Sequence, residues 1–255
     1  MLKAILFDMD ETLLNINLNA FILKVCRQEA QILSEISRKN QMSILKSFGS
    51  SLWAMIDSER TDDMINFDFF VQDFKERSGI PLDDPVIAEA ITYYEQEVLP
   101  LLNDRSIDAH PKHGGYEALT TALAHGYKVA LFTDPGFSEQ VCRARMEWAG
   151  IEEIPFERIT FMENSTRCKP SGRYYYENIA ALGLSPEEVL MVGNDPKRDF
   201  IEPGYYLQTA YVGGGDDSRA TWCGDMKQFA PNFERIVEAF EIKAEHHRNQ
   251  QLFES

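Results

Sequence analysis

The sequence predicts an α/β protein: a parallel sheet covered by helices on both faces, with an all-helical segment inserted near the start of the chain. From about residue 110 onward, short apolar segments alternate with amphipathic ones, which is typical of parallel strands joined by helical crossovers. Before that point, one apolar strand is followed by a long stretch, from about Ile16 to Leu102, that shows helical periodicity and no clear strand alternation.

The composition is that of a folded, acidic chain. Its 255 residues are 44% hydrophobic and carry a net charge of −16. Nucleic acids and anionic membrane surfaces are therefore disfavoured as partners, because both are bound through clustered Lys and Arg. No run approaches the roughly 18 apolar residues that span a bilayer, and the opening Met1–Leu14 does not resemble a signal peptide. The four cysteines lack CxxC spacing, which favours free thiols in a reducing cytoplasm.

The first strand covers the apolar run from Leu2 to Phe7 and ends at Asp8. In the helical segment we expect breaks at 48–51, 78–81 and 83–85, where Gly, Ser and Pro cluster, and an end near Pro100. Four aromatic residues are expected in the core of this segment: Trp53, Phe67, Phe69 and Phe70.

The second half predicts alternating elements. Helices are expected over 115–125, 137–149 and 171–182, and each is followed by a glycine that ends it. Strands are expected over 128–133, 158–162, 189–192 and 208–212. Ser185 and Glu188 flank Pro186 as a capping box just before the third of these strands. A closing helix is expected over 229–248.

Polar residues follow the predicted strands, and in a parallel sheet the carboxyl ends of the strands collect ligands. The residues expected at this edge are Asp8, Asp10, Thr133, Lys169, Asp195 and Asp199. Since four carboxylates would repel one another, a hard divalent cation such as Mg²⁺ is expected beside the lysine. A metal and a lysine suit a dianionic phosphoryl group. One carboxylate is then a candidate nucleophile and another a candidate acid and base.

These residues also carry a family resemblance. The segments Asp8-x-Asp10-x-Thr12, Thr133, Lys169-Pro170 and Gly193-Asn194-Asp195, with Asp199 following, stand in the order of the four motifs of the haloacid dehalogenase superfamily. The chain resembles that superfamily over 1–14 and about 110–225. The resemblance implies a Rossmann-like three-layer core formed by 1–14 and 109–255, and a helical cap domain formed by 15–108.

The resemblance also implies the roles of single residues. Asp8 would be the nucleophile, and Asp10 the general acid and base, with its main-chain carbonyl bound to the metal. Thr133 would bind the transferring phosphoryl group, and Lys169 would orient the nucleophile. The expected metal-binding residues are Asp8, Asp10, Asp195 and, as an outer-sphere carboxylate, Asp199. Thr12 is expected to be structural.

The predicted function is a Mg²⁺-dependent phosphomonoester hydrolase that acts on a small phosphorylated metabolite as a monomer or homodimer. A phosphomutase stays open as an alternative, because it would share the same core motifs. A dehalogenase is disfavoured because its chemistry needs neither a metal nor Asp10. A non-catalytic phospho-binding protein is disfavoured because every motif residue is present. The cap residues that set specificity are not assigned, although four cations are candidates for a second anionic group: Lys24, Arg27, Lys46 and Arg60.

Overall fold

A five-stranded parallel sheet forms the centre of the protein in a computed structural model that describes residues 1–57 and 60–254. The strands are β1 (Ala4–Phe7), β4 (Lys128–Leu131), β5 (Val189–Gly193), β6 (Gln208–Tyr211) and β7 (Trp222–Cys223), in the order β4-β1-β5-β6-β7. The first strand is therefore central, with Phe7 aligned between Leu131 and Val192. This position explains why β1 is apolar throughout: helices cover both of its faces.

Alternate residues of β1 supply two separate cores. Ile5 and Phe7 pack into one large cluster with α5 (Gly115–Ala124), α6 (Glu139–Ala149) and α9 (Phe233–Glu254). Ala4 and Leu6 face the opposite side and pack against α7 (Gly172–Ala181). The short helix α8 (Met226–Phe229) precedes α9 and joins the larger cluster. The three-layer α/β fold predicted from the sequence is confirmed.

The strand predicted over 158–162 is wrong in extent. Only Ile159 makes a bridge, to Leu131, and a short 3₁₀ turn follows at Met162–Asn164. The Asn164 side chain accounts for the early end, because it accepts a hydrogen bond from the Phe161 N–H and donates one to the Ile159 carbonyl. These bonds turn the chain away from the sheet. The predicted capping box at Ser185 is confirmed, since the Glu188 carboxylate accepts from the Ser185 N–H at 3.0 Å.

The inserted segment is helical, as predicted. Its helices are α1 (Leu18–Ser37), α2 (Gln41–Ile56), α3 (Asn66–Ser78) and α4 (Pro85–Tyr93), followed by a π-helical turn at Tyr94–Val98 and a 3₁₀ turn at Leu99–Leu102. A two-stranded antiparallel ribbon of β2 (Leu14–Asn15) and β3 (His110–Pro111) closes its base. The segment has an apolar core of its own, in which Phe48, Phe70 and Phe74 stack edge to face or in parallel.

Two predictions within this segment are wrong. The break expected at 48–51 does not exist, because α2 continues through Gly49, where an added Cβ would meet nothing within 4 Å. Burial of Ile44, Phe48 and Met55 on one face offsets the cost of about 1 kcal/mol that a helical glycine carries. Of the four aromatic residues expected in the core of the segment, Trp53 is 79% exposed and Phe67 is 42% exposed. Of the described helices, none combines the length and apolar character that a membrane crossing needs.

Candidate active site

The predicted site residues converge where β1, β4 and β5 end. The Asp8 N–H donates to the Val192 carbonyl at 2.9 Å, which continues the strand pairing into the loop that carries the acidic pair. The Thr12 hydroxyl donates to the Asn194 side-chain carbonyl at 3.0 Å and connects the loop after β1 to the loop after β5. Thr12 is fully buried, in agreement with the structural role expected of it.

Lys169 is the centre of the site. Its ammonium donates to Asp8 Oδ1 and to Asp199 Oδ1, each at 2.7 Å, and its side chain is almost wholly buried. Burial alone would lower the pKa of this amine, but the facing Asp199 and Asp8 carboxylates raise the pKa well above its ordinary value. Lys169 therefore stays charged and holds the Asp8 carboxylate in one orientation.

Asp199 lies behind the lysine rather than at the open edge. Besides the bond to Lys169, its second oxygen accepts from the Asp195 N–H at 2.9 Å, and the residue is 1% exposed. The Asp199 side chain packs so close to the backbone of residue 193 that only glycine fits there, because a Cβ would lie 2.2 Å from the Asp199 carboxyl carbon. The loop after β5 is thus folded around Asp199. In this loop the Asp195 carboxylate is only half-buried, whereas the Asp199 carboxylate is buried.

Asp10 pairs with a residue that the sequence analysis did not select. Arg145 on α6 donates from Nη1 to Asp10 Oδ2 at 2.7 Å, and it is only 1% exposed. Its guanidinium also lies 4.6 Å from the centre of the Phe137 ring. Burial raises the pKa of Asp10, and the Arg145 charge opposes that rise. The other oxygen, Asp10 Oδ1, is buried and has no hydrogen-bond partner among the described residues.

The Thr133 hydroxyl is likewise buried, and no described residue bonds to it. Its main-chain carbonyl, in contrast, accepts hydrogen bonds from Thr160 Oγ1 at 2.6 Å and from the Tyr174 hydroxyl at 2.9 Å. These two donors fix the loop after β4. The arrangement leaves the Thr133 hydroxyl available to a ligand at the strand ends.

The inserted segment contacts this same region through Asn66. Its side-chain amide donates to the Pro135 carbonyl at 3.2 Å and to the Arg167 carbonyl at 3.4 Å, and its N–H donates to Ser165 at 2.8 Å. Asn66 is fully buried. The helical segment is therefore bonded directly to the two loops that carry Thr133 and Lys169.

Sequence reasoning missed Arg145, Asn66 and the ion pair between Asp134 and Arg198. One of them left a signal in the sequence. Arg145 lies four residues after Val141 and four before Ala149, so it interrupts the apolar stripe of an otherwise buried helix face. A charge in such a position needs a buried partner, and Asp10 is that partner.

The oxygen donors at this edge suit a hard cation. Asp8, Asp195 and the main chain of Asp10 would supply two carboxylates and a carbonyl, and Mg²⁺ is commonly held by one or two carboxylates plus water. In the described parts of the chain, no group of three or more His, Cys, Asp and Glu side chains is arranged to hold a metal. A Mg²⁺ site here would therefore depend on main-chain, water or substrate oxygens as well.

Comparison with known proteins identifies the family. The model of the haloacid dehalogenase-like hydrolases matches residues 2–200, which is most of the chain. The chain belongs to this hydrolase family. The resemblance described above is thereby confirmed, and so is the prediction of a hydrolase. The match runs through β1, the helical segment and the loops of Thr133, Lys169 and Asp195.

Individual relatives are distant. The chain is 26% identical over 208 residues to a protein of Clostridium perfringens named "Putative pyrophosphatase PpaX", and the match covers 77% of each chain. Among solved structures, a phosphatase of this family from Thermococcus onnurineus has a TM-score of 0.53 at 18% identity and covers 91% of this chain and 98% of its own. A β-phosphoglucomutase from Clostridium difficile has a TM-score of 0.55 at 15% identity, covering 95% and 99%. At these identities the two structures show a shared fold.

Proposed function

We propose that the protein is a Mg²⁺-dependent phosphomonoester hydrolase that acts on a small phosphorylated metabolite through an aspartyl-phosphate. The observation that carries this proposal is the placement of Lys169, whose ammonium holds Asp8 at 2.7 Å while Asp199 holds the ammonium from behind. A carboxylate fixed in this way, at the open end of a parallel sheet, is prepared for in-line attack on phosphorus.

The remaining side chains supply the other steps. Asp8 attacks phosphorus, and Asp10, two residues on, donates a proton to the leaving oxygen. The unpartnered Thr133 hydroxyl donates to a phosphoryl oxygen, and Lys169 neutralises part of the negative charge on the transferring phosphoryl group. Asp10 then takes a proton from the water that hydrolyses the aspartyl-phosphate.

The metal would lie between Asp8, Asp195 and the main-chain carbonyl of Asp10, where Mg²⁺ would offset charge on the phosphoryl oxygens. For Asp199 we propose a supporting role. Both of its oxygens are hydrogen-bonded in the interior, so it positions Lys169 and the loop of Asp195 instead of contacting the metal.

We also propose that residues 15–108 act as a cap domain that covers this site, with 1–14 and 109–255 forming the core domain. A covered site favours small substrates and excludes bulk water. The names of the relatives, a pyrophosphatase and a phosphatase, support phosphoryl transfer as the reaction class. A phosphomutase is the alternative, supported by a structural neighbour of that name.

The reducing cytoplasm is our proposed location. All four cysteines are free thiols, three of them buried and Cys223 half-buried. A monomer or homodimer is the predicted assembly, because neither the reaction nor the position of the site calls for a larger one.

Phosphate release from p-nitrophenyl phosphate tests the proposal. We expect release with Mg²⁺, loss on addition of EDTA, and a loss of about 10³-fold or more in Asp8→Asn, which removes the nucleophile. Asp10→Asn should lower the rate by about 10²–10⁴-fold. The matched control is Asp216→Asn, an exposed aspartate of the core that should keep full activity. Full activity in Asp8→Asn, or release that ignores EDTA, would show that the proposal is wrong.

A further inference from the structure

A cavity of about 370 Å³ lies between the helical segment and the core. One wall comes from α1 to α4 and the turn after them, and the other from 136–141 and 162–163. Four aromatic rings belong to the described lining, those of Phe48, Phe67, Phe70 and Phe137. Phe137 links the cavity to the reactive groups, since its ring contacts the guanidinium of Arg145, which in turn holds Asp10.

The charged side chains of the lining are acidic. Four glutamates reach it, Glu29 and Glu95 from the helical segment and Glu139 and Glu163 from the core. Among the described residues that line the cavity there is no Lys, Arg or His. Glu95 accepts from the Ser138 hydroxyl at 2.8 Å, and Glu163 from the Glu139 N–H at 3.2 Å, so both carboxyls are held in place across the cavity floor.

Glu29 differs from its neighbours because it has no hydrogen-bond or ion-pair partner in the described part of the chain. It is 6% exposed, and its side chain lines the cavity. A buried carboxyl without a partner is costly, and proteins usually satisfy such a group. Burial raises its pKa well above the ordinary value, and the Glu95 charge adds to that rise. A positive charge or a hydrogen-bond donor inside the cavity would supply the missing partner.

The lining favours an organic cation over a metal ion. The described residues offer no metal-binding group of three acids, His or Cys here. Aromatic rings and carboxylates together are the surroundings that bind ammonium groups, through cation–π attraction and charge-assisted hydrogen bonds. The candidate cations that sequence analysis offered for a second anion, Lys24, Arg27, Lys46 and Arg60, are absent from this lining.

We propose that this cavity binds an apolar group that carries an ammonium, and that this group is the leaving portion of the phosphomonoester. The second part rests on the proposed function, whereas the first part does not. The phosphoryl group would lie at Asp8 and Lys169, and the apolar ammonium portion would extend past Phe137 toward Glu29. Substrates with a second anionic group would find no cationic side chain among the described residues of this lining.

Binding of small probes tests the cavity without any turnover. Isothermal titration calorimetry compares 2-phenylethylammonium, 2-phenylethanol and phenylacetate, which differ mainly in charge. We expect the ammonium to bind at least about tenfold more tightly than the alcohol, and the carboxylate to bind weakest. Glu29→Gln and Glu95→Gln should each reduce this preference. Glu35→Gln, an exposed glutamate on α1 outside the cavity lining, should keep it. Equal binding of ammonium and alcohol would overturn the inference, and so would no binding.

Turnover tests the link to the reaction. Tyramine phosphate, 4-(2-hydroxyethyl)phenyl phosphate and 4-(carboxymethyl)phenyl phosphate share a phenolic leaving oxygen and differ at the far end. We expect kcat/KM to favour the ammonium substrate by about tenfold or more in the native protein, and much less in Glu29→Gln. If the ammonium binds but no aryl phosphate is hydrolysed, the proposed function fails and the cation site stands. If all three are hydrolysed equally, the cavity does not bind the leaving portion of the substrate, and the proposed function stands.

Discussion

At the scale of single residues, two buried cations hold the acidic residues of the site. Lys169 is shared between Asp8 and Asp199, while Arg145 belongs to Asp10 alone. Two nitrogens of Arg145, Nε and Nη2, have no hydrogen-bond partner in the described chain. The aromatic ring of Phe137 lies against that guanidinium instead, and this contact favours a cation. The pair therefore fixes Asp10 from the protein side.

Replacing Arg145 with Met should be costly, because it leaves the buried Asp10 carboxyl without its partner. We expect the free energy of unfolding to fall by about 3 kcal/mol and kcat to fall by about tenfold or more. Urea denaturation and p-nitrophenyl phosphate turnover measure the two effects. Arg143→Met is the matched control on the same helix, since Arg143 pairs with Glu139 in solvent and should cost less than about 1 kcal/mol.

Coupling between the two partners provides a second check. In an Asp10→Asn background, the stability cost of Arg145→Met should shrink, since no carboxyl is left to be unpaired. An Arg145→Met variant as stable as Arg143→Met would contradict the importance of this pair.

At the scale of elements, helix ends depend on single caps. The Asp84 carboxylate accepts from the N–H groups of Val86 and Ile87 at 3.0 and 3.4 Å and begins α4. Asp84→Ala should lower the free energy of unfolding by about 1 kcal/mol. Asp83→Ala next to it removes only an exposed contact with Lys75 at 4.0 Å and should change little. Thermal denaturation of both variants compares them, and equal melting temperatures would refute the cap.

Elements with strong local signals could be predicted from the sequence, and those set by distant contacts could not. The apolar run of β1, the glycines after α5, α6 and α7, and the capping box at Ser185 are local patterns. The missing break at Gly49 and the shortened strand at Ile159 depend on packing and on the Asn164 side chain. In the site, most motif residues directly follow strands, so the order of the strands in the sheet was enough to predict that they lie together. Arg145 and Asn66 reach the site from a helix face and from the inserted segment, so their roles depend on the tertiary fold.

At the scale of the whole molecule, the carboxyls enclosed between segment and core should make stability depend on pH. Burial, with the nearby Glu163 charge adding to it, raises the pKa of Glu95 to about 7 from 4.5, although a bond from Ser138 opposes the rise. Between these values the folded state keeps a proton that the unfolded chain releases. The free energy of unfolding should therefore decrease as the pH rises through this window, by about 3 kcal/mol from this one group.

Urea midpoints at several values between pH 4.5 and pH 7.5 measure this slope. Glu95→Gln should reduce it, whereas Glu97→Gln, at an exposed neighbouring position, should leave it unchanged. Asp62 and Asp217, whose pKa values are lowered to about 2 by hydrogen bonds from Arg60 and Arg219, titrate below the window. An equal slope in Glu95→Gln and in the native protein would show that the pKa of Glu95 is not raised by folding.

The buried amide of Asn66 has a consequence for how the molecule can move. Any outward swing of the helical segment that carries α3 must break the bonds from Asn66 to the Pro135, Ser165 and Arg167 carbonyls. Those carbonyls belong to the loops that hold Thr133 and Lys169. If the segment opens as the proposed cap, admitting a substrate and assembling the reactive groups would thus be one event, because the opened molecule would lose the support of the loops that hold Thr133 and Lys169.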